Sequence, residues 1–181
     1  MHRQFLCCAA TVCAILLGWI NVSQADVKLP AIFTDHMVLQ QGQKNRVWGQ
    51  AAAGEKVTVS IGTQQHAATA DAAGKWMVTL DPLPVSRDPA TLTIKGNNTV
   101  TISDVLVGEV WICSGQSNMQ WSVNQANDPD LERLTANYPQ IRLISVPQVG
   151  TQEPQDDFNG SWSVCSGDTV GDFSAVGYFF G

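Results

Sequence analysis

The chain has 181 residues, 44% of them hydrophobic and only 14% charged, the composition of a globular protein rather than a disordered or fibrous one. Ten Lys and Arg against sixteen Asp and Glu give a formal net charge of −6 with no basic cluster, which argues against nucleic acid or an anionic lipid surface as a partner. The length suits one ordinary domain, or a small one with part of another.

The first 25 residues read as an export signal. Met1-His2-Arg3 is a short basic start, Phe5 to Ile20 is dominated by apolar residues, and Ser23-Gln24-Ala25 places small residues before a cut at Asp26. The apolar run is shorter than the ~20 residues of a spanning helix, so cleavage with no stable membrane span afterwards is expected, and a secreted or periplasmic location with it. Cleavage also removes Cys7, Cys8 and Cys13, leaving Cys113 and Cys165 either to pair or to pack as two thiols.

Residues 26–104 read as strands and turns. Arg46-Val47-Trp48-Gly49, Val57-Thr58-Val59-Ser60-Ile61, Lys75 to Leu80, Thr91 to Lys95 and Thr99 to Ile102 are short β-type runs punctuated by Gly, Pro and Asn. Such spacing predicts a β-sandwich-like module. Trp48 and Trp76 are expected in its core.

Residues 105–181 change character. Val105 to Cys113 is a nearly continuous apolar run, which predicts a strand buried on both faces of a parallel sheet. A helix over Asp130 to Ala136, a strand over Ile141 to Val146, a loop over Gln148 to Val170 carrying Trp162, and a helix near Phe173 capped by Asp172 follow. The expected class is therefore β followed by α/β. The apolar stretch from Phe173 to Gly181 ends without a polar cap, and the reading is of the truncated start of a larger α/β domain.

Gly115-Gln116-Ser117-Asn118-Met119, directly after the apolar run, carries the strongest chemical signal. A Ser at a strand-to-helix turn presents its hydroxyl where backbone N–H groups can stabilise an oxyanion. The segment is not a G-x-S-x-G elbow, because Met119 replaces the second Gly, and the same pattern serves plain helix capping. Asn118 either positions substrate or satisfies the turn, and Trp121, four residues past Ser117, is the candidate pocket wall. Asp35-His36 is read as a surface turn. No metal-ligand spacing or nucleotide fingerprint occurs, so no metal or cofactor is expected.

The block from Gly108 to Trp121 resembles the nucleophile block of the sialate O-acetylesterases, carbohydrate esterases of the SGNH-hydrolase superfamily. Phe33 to Gln40, Asp71 to Trp76 and Phe173 to Gly181 are similar to segments flanking that block in bacterial members. The resemblance implies a flavodoxin-like SGNH-type α/β hydrolase domain over residues 105–181. It implies hydrolysis of acetyl esters on sugar hydroxyls, of sialic acid or another acetylated sugar. Ser117 would be the nucleophile of an acetyl-enzyme and its N–H one oxyanion donor. The family's base is a His in a D-x-x-H element, and neither His2, His36 nor His66 has an Asp three residues earlier. The chain by itself is therefore expected to be inactive. The rival reading is a non-catalytic carbohydrate-binding β module with a degenerate hydrolase tail.

Overall fold

A computed structural model describes residues 26–180, so the expected signal segment lies outside the described residues. Seven strands come first: β1 (Val38–Gln40), β2 (Asn45–Gln50), β3 (Lys56–Ile61), β4 (Gln64–Thr69), β5 (Lys75–Leu80), β6 (Ser86–Lys95) and β7 (Thr99–Gly108). Five form a sheet in the order β1-β7-β6-β3-β4, parallel only between β1 and β7. The other two, β2 and β5, form an antiparallel ribbon.

Period-two alternation drives this arrangement. In β3 and β5 every second residue is buried: Val57, Val59 and Ile61 in one, Trp76, Val78 and Leu80 in the other. They meet Val47, Leu92, Ile94, Ile102 and Val105 in one hydrophobic core. Trp76 lies in that core as expected, whereas Trp48 does not. Val47 and Gly49 take the inward positions of β2, so Trp48 between them faces outward. Gly49 cannot carry a side chain, because a Cβ there would collide with the Lys28 carbonyl oxygen and press on the Trp76 ring.

The remainder comprises α1 (Ser117–Gln120), a 3-10 turn at Val123–Gln125, α2 (Pro129–Thr135), β8 (Asn137–Leu143), β9 (Ser163–Ser166) and α3 (Ala175–Phe180). Val123, Ala136, Leu143, Cys165, Val170 and Ala175 make a second, smaller core. The described residues are mostly β with three short helices.

Several expectations for this half need correction. Val105 to Cys113 is a doubly buried strand only at its start: Val105, Leu106 and Val107 are buried in succession, and its parallel partner is β1 alone. Its first four residues complete β7, which runs unbroken from Thr99, and the pairing stops at Gly108. Beyond it the chain pairs with no strand of the described residues, and Trp111 and Ile112 are exposed. The strand expected over Ile141 to Val146 starts earlier, and β8 pairs antiparallel with β9, itself inside the expected loop. Asp172 does not cap the last helix. Its carboxylate accepts from Asn124 Nδ2 at 3.0 Å, and Ser174 Oγ accepts the Gly177 N–H at 3.2 Å instead. Cys113 and Cys165 are unpaired, the first exposed and the second buried, where desolvation pushes the thiol pKa up. No helix among the described residues is long and apolar enough to cross a membrane.

Side-chain contacts join the halves, among them those of Trp162 and of Asp104. Trp162 donates Nε1–H to the Ile32 carbonyl at 2.8 Å, and its backbone N–H goes to Thr34 Oγ1 at 3.1 Å. Asp104 receives both ends of the Arg142 guanidinium, at 2.5 and 3.1 Å, and also contacts His36 Nδ1 at 2.6 Å. His36 and Asp104 both hold left-handed backbone conformations, with φ of 69° and 54°, uncommon for residues other than Gly. Asp104 sits where β7 slips its register against β6, and that irregularity turns the carboxylate toward Arg142.

Candidate active site

The segment leading to Ser117 is fixed at its start. Gln40 and Gln41, at the end of β1, donate side-chain N–H groups to the two oxygens of Glu109 at 3.0 and 2.5 Å. Gln40 Oε1 accepts the Val110 N–H at 2.8 Å. The Gln40 hydrogen bond, then that of Gln41, hold the Glu109 carboxyl below its ordinary pKa. Sequence reading missed Gln40, Gln41 and Glu109, since β1 lies nearly seventy positions away from Glu109 in the chain.

From Glu109 to Gln116 the chain runs without regular structure, and Ser117 opens α1. Gly115 lets the turn fold back, since a side chain there would press within 3.3 Å of Met119 Cβ. Ser117 and Asn118 are exposed, and α1 begins without a side-chain cap from Gln116. The leading N–H groups of a helical turn have no partner within it, so those at Ser117 and Asn118 are free of intrahelical duty. A hydroxyl exposed beside such amides is sterically open to an incoming ester.

The back of α1 is braced. Ala175 N–H donates to the Trp121 carbonyl at 2.7 Å, and Ser174 Oγ contacts Met119 Sδ at 3.1 Å. Val123 N–H donates to the Phe173 carbonyl at 3.0 Å, and Ser122 with Gln125 forms a reciprocal cap of the following turn. Trp121 is 55% exposed at the end of α1.

Ser117 has no hydrogen-bonded base among the described residues. His36 is engaged by Asp104 and Arg142, and His66 lies 3.5 Å from Asp81. Asp35, read as a turn residue, uses its carboxylate to accept the Ser103 N–H. A cleft of about 340 Å³ opens between β7, β8 and α3, with Trp111, Cys113 and Tyr178 in its walls, but Ser117, Asn118 and Trp121 do not line it. No group of three metal-ligating side chains gathers among the described residues.

No family model matches the chain. It is 33% identical over 167 residues to a sialate O-acetylesterase of Mus musculus, an alignment covering 81% of this chain and 31% of that protein. The Homo sapiens sialate O-acetylesterase is 31% identical over 187 residues, covering 92% of this chain and 36% of the relative. The chain thus spans about a third of the length of these curated relatives. Among solved structures, a carbohydrate acetylesterase from Xanthomonas citri superimposes with a TM-score of 0.82 at 35% identity, over 86% of this chain and 36% of that one.

Proposed function

We propose, from a chain that resembles sialate O-acetylesterases through most of its own length, that it is the nucleophile-bearing portion of a carbohydrate esterase. The reaction is hydrolysis of acetyl esters on sugar hydroxyls. The observation that carries it is Ser117: exposed, opening a helical turn, in a segment pinned at Glu109 and braced by α3. Kinship with a carbohydrate acetylesterase of closely similar fold supports the same chemistry.

In this reading Ser117 Oγ attacks the acetyl carbonyl, expels the sugar alkoxide as it takes up a proton, and forms an acetyl-enzyme that water cleaves. The Ser117 N–H supplies one oxyanion donor. Asn118 orients the ester, and Trp121 lines the approach to it. Neither His36 nor His66 makes a hydrogen bond with Ser117, so this reading assigns the base that deprotonates Ser117 to neither. Residues 105–181 would begin an SGNH-type domain, with residues 26–104 as a β-sandwich-like support. The basic start and apolar run of residues 1–25 favour a secreted or periplasmic protein. The substrate is an acetylated carbohydrate, sialic acid or another sugar.

A fluorophosphonate probe tests the assignment on the protein purified from its host. Labelling confined to the peptide containing Ser117 is expected, and none after Ser117→Ala. An adduct on another serine of a catalytically active preparation would refute it.

A further inference from the structure

An open groove of about 560 Å³ lies over the β2–β5 ribbon. That volume falls in the range of small-molecule sites. Its apolar wall is Trp48, 36% exposed, with Met77 directly across the strand pair and 52% exposed. Phe33 meets the Trp48 ring edge-on, centroids 4.7 Å apart at 79°, which sets the plane of the indole. The polar rim comes from elsewhere in the chain. Gln50 and Lys75 stand opposite each other at the end of the ribbon, and Asp156 and Asp157 arrive from the segment before β9.

These carboxylates are partly committed. Asp157 Oδ1 accepts the Ala31 and Phe158 N–H groups, both at 2.8 Å, which holds its segment against the groove. Asp156 Oδ2 meets Lys75 Nζ at 3.3 Å. The second oxygen of each accepts no hydrogen bond among the described residues. An aromatic face bordered by open acceptors and an amide suits a molecule with an apolar flat side and hydroxyls around its edge.

We propose that this groove binds a neutral pyranose ring of a glycan, its C–H face on Trp48 and its hydroxyls toward Asp156, Asp157 and Gln50. The proposal deepens the carbohydrate reading above and rests on it. Asp71, Asp156 and Asp157 outnumber Lys28 and Lys75 among the lining residues, so an anionic sugar is disfavoured. Leu29, Pro30 and Ala68 extend the apolar wall, but its large exposed side chains are Trp48 and Met77 alone, bordered by charge, too little and too polar an area for a stable protein interface. The groove would thus hold the unmodified backbone of a polysaccharide whose acetylated sugar is cleaved at Ser117.

Calorimetric titration of the purified protein with xylohexaose, cellohexaose and mannohexaose, beside a sialic acid oligomer, tests this. Saturable binding of at least one neutral hexaose is expected. Trp48→Ala should weaken it roughly tenfold or more, and Asp156→Ala should weaken it also. Trp48→Phe keeps an aromatic face and should lose less, which guards against a variant that merely misfolds. The proposal is overturned if no neutral hexaose binds, if Trp48→Ala and Trp48→Phe bind like the parent, or if only the sialic acid oligomer binds. The titration contains no ester, so it fails or succeeds independently of Ser117 labelling.

Discussion

Ser117→Ala is expected to lower acetyl-ester turnover by about a thousandfold or more in the protein as its host makes it. The hydroxyl is the atom that bonds to the acyl carbon, so its loss leaves only binding and oxyanion contacts to assist water. The same change should barely alter stability, within about 0.5 kcal/mol, because the side chain is exposed and makes no side-chain hydrogen bond among the described residues. Steady-state kinetics with an acetylated sugar, paired with urea unfolding of the same preparations, separates chemistry from folding. In the 181-residue chain alone, Ser117-dependent turnover is expected to stay at background, since a serine hydroxyl without a base is a poor nucleophile. Equal kcat in parent and variant of the host protein would remove Ser117 from the mechanism.

The second large effect falls on stability. Asp104→Asn strips the carboxylate from a guanidinium whose side chain is only 4% exposed. Arg142 Nε already lacks a partner, so the variant leaves a buried cation with weakened neutral contacts. Removing one member of such a pair costs about 3 kcal/mol, at the low end of the usual range because Asp104 itself is 28% exposed. Asn tolerates the left-handed backbone found at position 104, so the change tests charge rather than conformation.

The pH dependence follows from the same contact. The Arg142 hydrogen bonds, opposed by partial burial and helped by His36, hold the Asp104 carboxyl below its ordinary pKa. The folded state therefore binds the proton less readily than the unfolded chain does. The stabilisation is present above the unfolded value of about 3.9 and is lost as pH falls from there through the lower folded value. Urea midpoints of parent and Asp104→Asn should differ at pH 7 and converge on acidification below about pH 4. A gap that stays constant to pH 2 would show that Asp104 is not the titrating group.

The sequence made parts of this structure readable and hid others for physical reasons. In β3 and β5 apolar residues recur with period two, so strand and buried face are legible together. The same rule applied to β2 places Trp48 outside once Val47 is inside, and a general preference for buried indoles misled the expectation. β4 was invisible because Gln64–Thr69 has no apolar face, being an edge strand paired only with β3. The run from Val105 to Cys113 is legible only as far as Val107, since apolar composition favours burial but does not show where the neighbouring strands end. Helix α2 was legible from its polar-apolar spacing and falls one position from the expected start.

The chemistry divides in the same way. Ser117 announces itself by local context. The Gln40–Gln41–Glu109 clamp and the His36–Asp104–Arg142 junction join residues separated by 38 to 106 positions, with no local pattern to mark them. Asp35-His36 reads as a surface turn in the sequence. The backbone of His36 does turn, at φ 69°, but its imidazole is committed to Asp104.

An acetyl group caught on the enzyme would speak most directly to the account. The host protein is mixed with an acetylated sugar, quenched in acid during the first turnovers, digested and analysed by mass spectrometry. The account predicts acetyl on the peptide carrying Ser117, at Ser117 itself, decaying as product accumulates. Acetyl on a different residue that forms and decays at the rate of turnover, with Ser117 unmodified, would contradict it.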